Sequence, residues 1–349
     1  MRRTEFALQS LVVAAALLTG IATHAQNAGP SKKARVSKEE EERAASAADL
    51  PAVLWRDPGA IASEDLIGGM GGREHAPGQD AQYKFVKEDL NGSSTKFYVE
   101  DGDGVQWLVK VGAEAQPETA ATRLVWAMGY LTDEDYYLPQ IHVVGIPHLH
   151  RGNERIGADG TVVGVRLKRQ NKGEKKIGNW SWFDNPFAST RELDGLRVIM
   201  ALVNNWDLKT DNNKIYSEKE MERRYVASDE GASFGRTGGF SSRSKGNLTD
   251  YREAKFIKHV DADRVDFVMA TRPLPLLAPF DPPYFAMRTK IQGVVKNIPR
   301  DNARWIGLQL SCLTAQQIGD AFRAAGYSGD EVDAYTQAIS ARISQLTAL

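Results

Sequence analysis

Residues 207 to 212 read Asp-Leu-Lys-Thr-Asp-Asn and follow a run of helix-forming apolar residues. A loop with this spacing could aim the Asp207 carboxylate at a hydroxyl, turn Lys209 toward a transferring phosphate and bring the Asn212 amide oxygen to a metal ion. Taken alone, the six residues also suit a polar turn after a helix. Phosphoryl transfer asks little covalent work of a protein. It needs a cation on the phosphates, oxygen ligands for magnesium, a carboxylate near the attacking hydroxyl and backbone N–H groups over the phosphates. Whether the six residues mean anything depends on those other parts occurring in order.

Three further residues supply them. In "VQWLVKVG", residues 105–112, Val105, Trp107, Val109 and Val111 alternate onto one face of a strand, which leaves Lys110 on the other face beside Leu108. An ammonium there lies on the inner wall of a small sheet or in solvent. Glu118 lies in the first turn of the next helix, three and seven residues before Ala121 and Val125, and so extends the apolar stripe. A carboxylate in that position needs a cation, for which Lys110 is the candidate; it also suits a plain acid at a helix N-terminus. Asp229 ends a short strand over residues 225–227 and opens Asp-Glu-Gly, where Gly231 is free to take a positive φ. A carboxylate there suits a hard-cation ligand as well as an ordinary turn.

The elements that must position these groups are legible in outline. "YKFVKEDL" (83–90), "TKFYVED" (95–101) and residues 105–112 read as an antiparallel meander, with "NGSS" and "GDG" as turns. Pro117 opens an amphipathic helix with Ala121, Leu124, Val125 and Met128 at helical spacing. "IHVVGIP" (141–147) and "TVVGVRLKR" (161–169) are two more strands, and a lobe boundary near residue 170 fits. The second half turns helical. Ser189 and Glu192 form a capping-box pattern before Leu193, Leu196, Ile199, Met200 and Val203, Gly326 ends one later helix, and Ser328 with Glu331 caps the last.

The 349 residues, 42% hydrophobic, can bury one bilobal core or two ordinary ones. With 44 basic and 45 acidic residues the net charge is −1, so no global field draws the chain to nucleic acid or anionic lipid. Arg2, Arg3, an apolar run from Leu11 to Ala22 and then Thr23-His24-Ala25 read as a secretory signal (residues 1–25) that leaves Gln26 as the first residue. The run is too short to span a bilayer, no cysteine follows it for a lipid anchor, and Cys312 alone can form no internal disulfide. Residues 26–80, charged, alanine-rich and then glycine-rich, read as a flexible linker. Its "GGMGG" lacks the Lys-Ser/Thr ending of a phosphate loop. His142, His148 and His150 offer a His-x-His pair for zinc, but neither a third ligand nor His-Glu-x-x-His accompanies it.

Lys110, Glu118, D-L-K-x-x-N and D-x-G in this order resemble an atypical protein-kinase-like fold, similar to the phosphoinositide kinases, the HipA-type bacterial kinases and the secretory-pathway kinases. The resemblance covers about residues 81 to 260, in short motifs. It implies that Lys110 is the strand lysine and Glu118 its helix partner, that Asp207, with Lys209, is catalytic, and that Asn212 and Asp229 hold metal. Gly92, Ser93 and Ser94 of "NGSS" would then be the loop over the phosphates. The usual His-Arg before the catalytic aspartate is Asn205-Trp206 here, closer to the Asn-x-Asp of the HipA-type loop, and Gly92 stands where three glycines are usual.

The expectation is therefore an α+β, protein-kinase-like bilobal fold: an N-lobe over residues 81–170 with an antiparallel sheet and one helix, and a mainly helical C-lobe over residues 171–349. ATP and magnesium would bind between them, the acceptor being a protein, lipid, sugar or small molecule, in a chain that is periplasmic or secreted. Two rivals remain. One keeps the fold as a pseudokinase or nucleotidyl transferase; the other is a non-enzymatic envelope binding protein that meets a glycan or partner through the aromatic "NWSWFDNPF" (179–187).

Overall fold

A computed structural model describes residues 38–218, 221–238, 243–273 and 275–349. The secretory signal and its cleavage position lie outside the described residues. Helix α1 (Lys38–Ser46) is followed by the strand β1 (Ala52–Val53) and two short 3-10 turns.

Five strands then close into a barrel in the order β2 (Gln82–Asp89), β3 (Thr95–Glu100), β4 (Gln106–Val111), β6 (Thr161–Arg169), β5 (Asp135–Val144). The sheet expected to be antiparallel is so except at its seam, where β2 runs parallel to β5 with Tyr83 opposite Val143. The barrel is filled by the apolar half of each alternating strand: Phe97, Val99, Trp107, Val109, Val111, Val162, Val165 and Leu167 are buried together. This fixes the face of β4. With Trp107, Val109 and Val111 inside, Lys110 points out of the barrel. β5 starts six residues before the expected strand at Ile141 and takes in Pro139. Over that stretch β5 bonds only to β6, which leaves an open edge where a missing N–H costs nothing.

Helix α2 (Ala115–Ala127) covers that outer face, yet its Ala120, Ala121, Leu124 and Val125 belong to a second, larger core. That core is built by α3 (Arg191–Leu202), α6 (Arg300–Leu310), α7 (Ala315–Ala324) and α8 (Gly329–Thr347). Thr190, one residue after the expected Ser189, caps α3 by accepting from Leu193 N, while Ser189 takes φ +70°. The capping box of Ser328 and Glu331 on α8 is present as the pattern indicates.

The second half holds more strand than the expected helical lobe. β7 (Glu174–Gly178), β8 (Lys214–Glu218) and β9 (Glu222–Val226) form a sheet with β1, and β10 (Ile257–Val260), β11 (Arg264–Phe267) and β12 (Ile298–Pro299) form another. Helices α4 (Leu248–Glu253) and α5 (Pro282–Gln292) fill the remainder.

The flexible linker expected up to residue 80 is corrected from residue 51 onward. β1 pairs parallel with β9, the Trp55 indole N–H donates to Met128 O at 2.7 Å, and Leu54, Ile61 and Leu66 are buried. Each such side chain contributes roughly 1.5–3 kcal/mol on burial, enough to hold a segment whose composition alone signals a tether.

Candidate active site

The outward-facing Lys110 is 3% exposed and is surrounded by acids. Its Nζ donates to Glu118 Oε2 at 2.6 Å and to Asp229 Oδ1 at 2.5 Å, and lies 3.2 Å from Glu114 Oε2. Glu114 and Glu118 are one helical turn apart at the start of α2, so both carboxylates face β4. Arg166, opposite Lys110 on β6, donates to the other Glu118 oxygen at 2.6 Å. Of the two readings open for each residue, Lys110 is thus enclosed between the sheet and α2, not in solvent, and Glu118 is its partner. Burial works against the Lys110 charge, but Glu118 and Asp229 outweigh it and hold the ammonium firmly protonated. In return Asp229 is held well below the usual carboxylate range despite desolvation, and Glu114 is brought down to about 2 by Lys110 and Lys245, again against burial.

The backbone at Asp229 departs from expectation. The positive φ, +59°, belongs to Asp229 itself and not to Gly231. Aspartate tolerates the left-handed region better than most residues. Gly231 is needed for another reason: a Cβ there would stand 2.7 Å from the Glu114 Cβ, inside the space α2 occupies. Between them, Glu230 is 1% exposed, accepts from the Thr122 hydroxyl at 3.3 Å, and among the described residues has an Oε1 without a partner. Burial, reinforced by Asp133, Asp135 and Glu118, pushes its carboxyl well above the usual range. Nothing in the pattern around Glu230 announces this buried acid.

The Asp207 loop is a self-bonded unit. Asn205 Oδ1 accepts from Asp207 N at 3.0 Å, Lys209 Nζ meets Asp207 Oδ2 at 2.8 Å, and Asn212 Nδ2 donates to Asp207 O at 2.6 Å. Lys209 therefore faces Asp207, and Asn212 has its amide oxygen turned away from the loop carbonyl. Arg288 arrives from α5, donating to Asp207 Oδ1 at 3.0 Å and to Trp206 O at 3.3 Å. The loop is tied to the chain that follows Asp229 by bonds that include Trp206 N to Ala232 O at 3.3 Å, Phe234 N to Val203 O at 2.7 Å, Asn204 Nδ2 to Gly235 O at 2.8 Å and Trp206 Nε1 to Ser244 O at 2.8 Å. The Asp207 and Asp229 segments thus run side by side.

At the β2–β3 turn, Ser94 Oγ donates to Glu114 Oε2 at 2.8 Å, which brings it to the Lys110 cluster. Gly92, at φ +71°, and Ser93 sit exposed at the tip. The histidines do not converge: His142 Nε2 lies 2.7 Å from Asp159 O, and His150 Nδ1 lies 2.8 Å from Glu88 Oε2. In "NWSWFDNPF", Trp180 and Trp182 are 2% and 5% exposed and meet edge-to-face in the larger core, whereas Phe183 is 44% exposed.

Glu114, Glu118 and Asp229 present oxygens within 4.8 Å of one another, a spacing fit for a divalent cation. Both Glu118 oxygens are engaged by Lys110 and Arg166, however, so Glu118 positions and does not ligate. The Asp229 side chain, held charged, is the most exposed of the three at 44%.

No protein-family model and no curated protein sequence matches the chain. Among solved structures it is similar to the crystal structure of the Helicobacter pylori proinflammatory kinase CtkA. The TM-score is 0.46 at 9% identity, over 77% of this chain and 97% of that one.

Proposed function

We propose that the chain is an ATP- and magnesium-dependent phosphotransferase of bilobal, kinase-like design, and that it works outside the cytoplasm. One observation carries the first part: a buried, charged Lys110 joins Glu118 of α2 to Asp229, and the Asp229 segment is bonded to the loop that bears Asp207. A strand lysine fixed by a helix acid beside a metal-ligating aspartate is the arrangement phosphoryl transfer uses to receive phosphates. The leader supports the second part.

In this reading Lys110 exchanges its contact with Asp229 for phosphate oxygens of the nucleotide, while Glu118, clamped by Arg166, keeps the ammonium in place. Asp229 and the Asn212 amide oxygen hold magnesium, which supplies neutralising charge on the phosphates. Asp207 accepts a hydrogen bond from the acceptor hydroxyl and takes its proton as the oxygen bonds to phosphorus and the bond to the departing nucleotide oxygen breaks. Lys209, already on Asp207, steadies the transferring group.

Magnesium titrations of ATP binding to the mature chain test the reading. Asp229→Asn should cost magnesium affinity, Asn212→Ala should cost less, and Asp207→Asn should leave binding intact while lowering turnover by ~10²-fold or more. If Asp229→Asn binds magnesium-nucleotide as tightly as the parent, the assignment fails.

A further inference from the structure

Around Trp206, the residue before Asp207, the charge is unbalanced. The Arg243 guanidinium stacks 4.8 Å from the indole centroid and that of Arg288 lies 5.6 Å from it, with Tyr284 shared between them: Arg243 Nη2 donates to its hydroxyl at 3.0 Å, and Arg288 lies 5.3 Å from its ring. Lys209 and Arg288 both draw on the single Asp207 carboxylate. Neighbouring acids are spent elsewhere. Asp281 caps α5 by accepting from Tyr284 N at 3.1 Å, Asp250 and Glu253 hold Arg236, and Glu114 holds Lys245. Arg288 is 4% exposed, and among the described residues its Nε, like Nη1 of Arg243, is enclosed without an acceptor. An enclosed guanidinium donor left unpaired is costly, and two cations packed on one ring repel. The Tyr284 phenol registers the field: although burial works to raise it, the two arginines bring it below its usual range.

We propose that Arg243 and Arg288 form the anion subsite of the acceptor, which is a hydroxyl compound carrying an oxyanion, phosphate or carboxylate, close to the hydroxyl presented to Asp207. The proposal rests on the phosphotransferase reading. A planar guanidinium fork matches such oxyanions, and the orphaned N–H groups acquire acceptors when one binds. A neutral sugar or an unmodified neutral peptide would leave them unsatisfied.

The test measures calorimetric binding of inorganic phosphate to the full chain, alongside magnesium-ATP binding, for the parent, Arg243→Gln, Arg243→Lys and Lys110→Met. Expected is a loss of about ten-fold or more in phosphate affinity for Arg243→Gln, a partial loss of about three-fold for Arg243→Lys, which keeps the charge without the fork, and magnesium-ATP binding within about two-fold of the parent for both. Lys110→Met should show the converse. Melting curves verify that Arg243→Gln is folded, and Arg243→Lys keeps the test decisive if it is not. Phosphate binding that ignores both Arg243 variants overturns the subsite. Loss of phosphate binding in Arg243→Gln, in a chain that never binds nucleotide, upholds the anion site and sinks the phosphotransferase reading instead. Sedimentation with phosphatidylglycerol against phosphatidylcholine vesicles separates the sources: Arg243-dependent pelleting assigns a lipid headgroup, and binding of free phosphate alone assigns a soluble acceptor.

Discussion

A double-mutant cycle on Lys110 and Glu118 tests the centre of the proposed site. Lys110→Met removes the ammonium and leaves its acids unbalanced, although Arg166 still holds one Glu118 oxygen at 2.6 Å. Breaking a buried pair by deleting one partner costs about 3–5 kcal/mol, and the retained Arg166 contact puts this variant near about 3 kcal/mol. Glu118→Gln leaves Lys110 with Asp229 at 2.5 Å and Glu114 at 3.2 Å, but leaves Arg166 with Asp135 at 4.0 Å as its nearest acid and a long bond to Leu108 O at 3.5 Å, so a similar loss of about 3 kcal/mol is expected. The double variant removes both ends of one bond. It should fall well short of the summed losses, by about 2 kcal/mol, within the range of coupling measured for residues in contact. Urea unfolding at neutral pH supplies all four stabilities, and magnesium-ATP binding measured on the same variants should be lost with Lys110→Met and weakened with Glu118→Gln. Additivity within about 0.5 kcal/mol would mean that the 2.6 Å bond has no energetic content, and the assignment of Glu118 as the lysine's positioning residue would fall.

Three other outcomes follow from the same geometry. Burial raises the Glu230 carboxyl above its ordinary value of 4.5 in the fold, so it costs stability as pH rises through that value, by at most about 1.4 kcal/mol per unit; Glu230→Gln should gain on the parent in unfolding free energy as pH rises above about 4.5, and parallel pH profiles would contradict this. Gly129, at φ +85°, would drive a Cβ into the Arg56 carbonyl, so Gly129→Ala should lose about 2 kcal/mol or more in chemical unfolding, whereas a tether at residues 51–58 would make the change neutral. Intact-mass analysis of protein recovered from its native cells should find Gln26 at the N-terminus, and retention of residues 1–25 would sink export.

The residues legible in the sequence share one property: a local period exposes them. Lys110 is the single charge on a strand whose alternate positions are apolar, and Glu118 lies on the stripe of a helix, so the two periods alone turn both toward one surface. Asp207 and Asp229 end recognisable elements. Arg288 has no such local signature, because its contact with Asp207 spans 81 residues and it comes from a helix, α5, that the apolar pattern barely marks. Arg243 likewise reads as one more basic residue in a glycine- and serine-rich stretch. The strap from Ala52 to Leu66 was hidden for the opposite reason: three buried apolar residues are spread among glycine, serine and charge, too sparsely to register as a period.

Glu114 shows why order along the chain was the stronger clue and adjacency the weaker one. It precedes α2 as its capping residue and carries no motif, yet it takes Ser94 of the β2–β3 turn at 2.8 Å, Lys110 of β4 at 3.2 Å and Lys245, beyond Asp229, at 2.5 Å. A carboxylate brought down to about 2 stays charged throughout the physiological range, so all three contacts persist together. One side chain thereby joins the turn assigned to the phosphates, the lysine assigned to receive them and the segment that leads to Arg243. The motifs name parts of a site, but their convergence is produced by residues such as Glu114 and Arg166, whose partners lie on other elements and whose own neighbours in sequence give no sign of them.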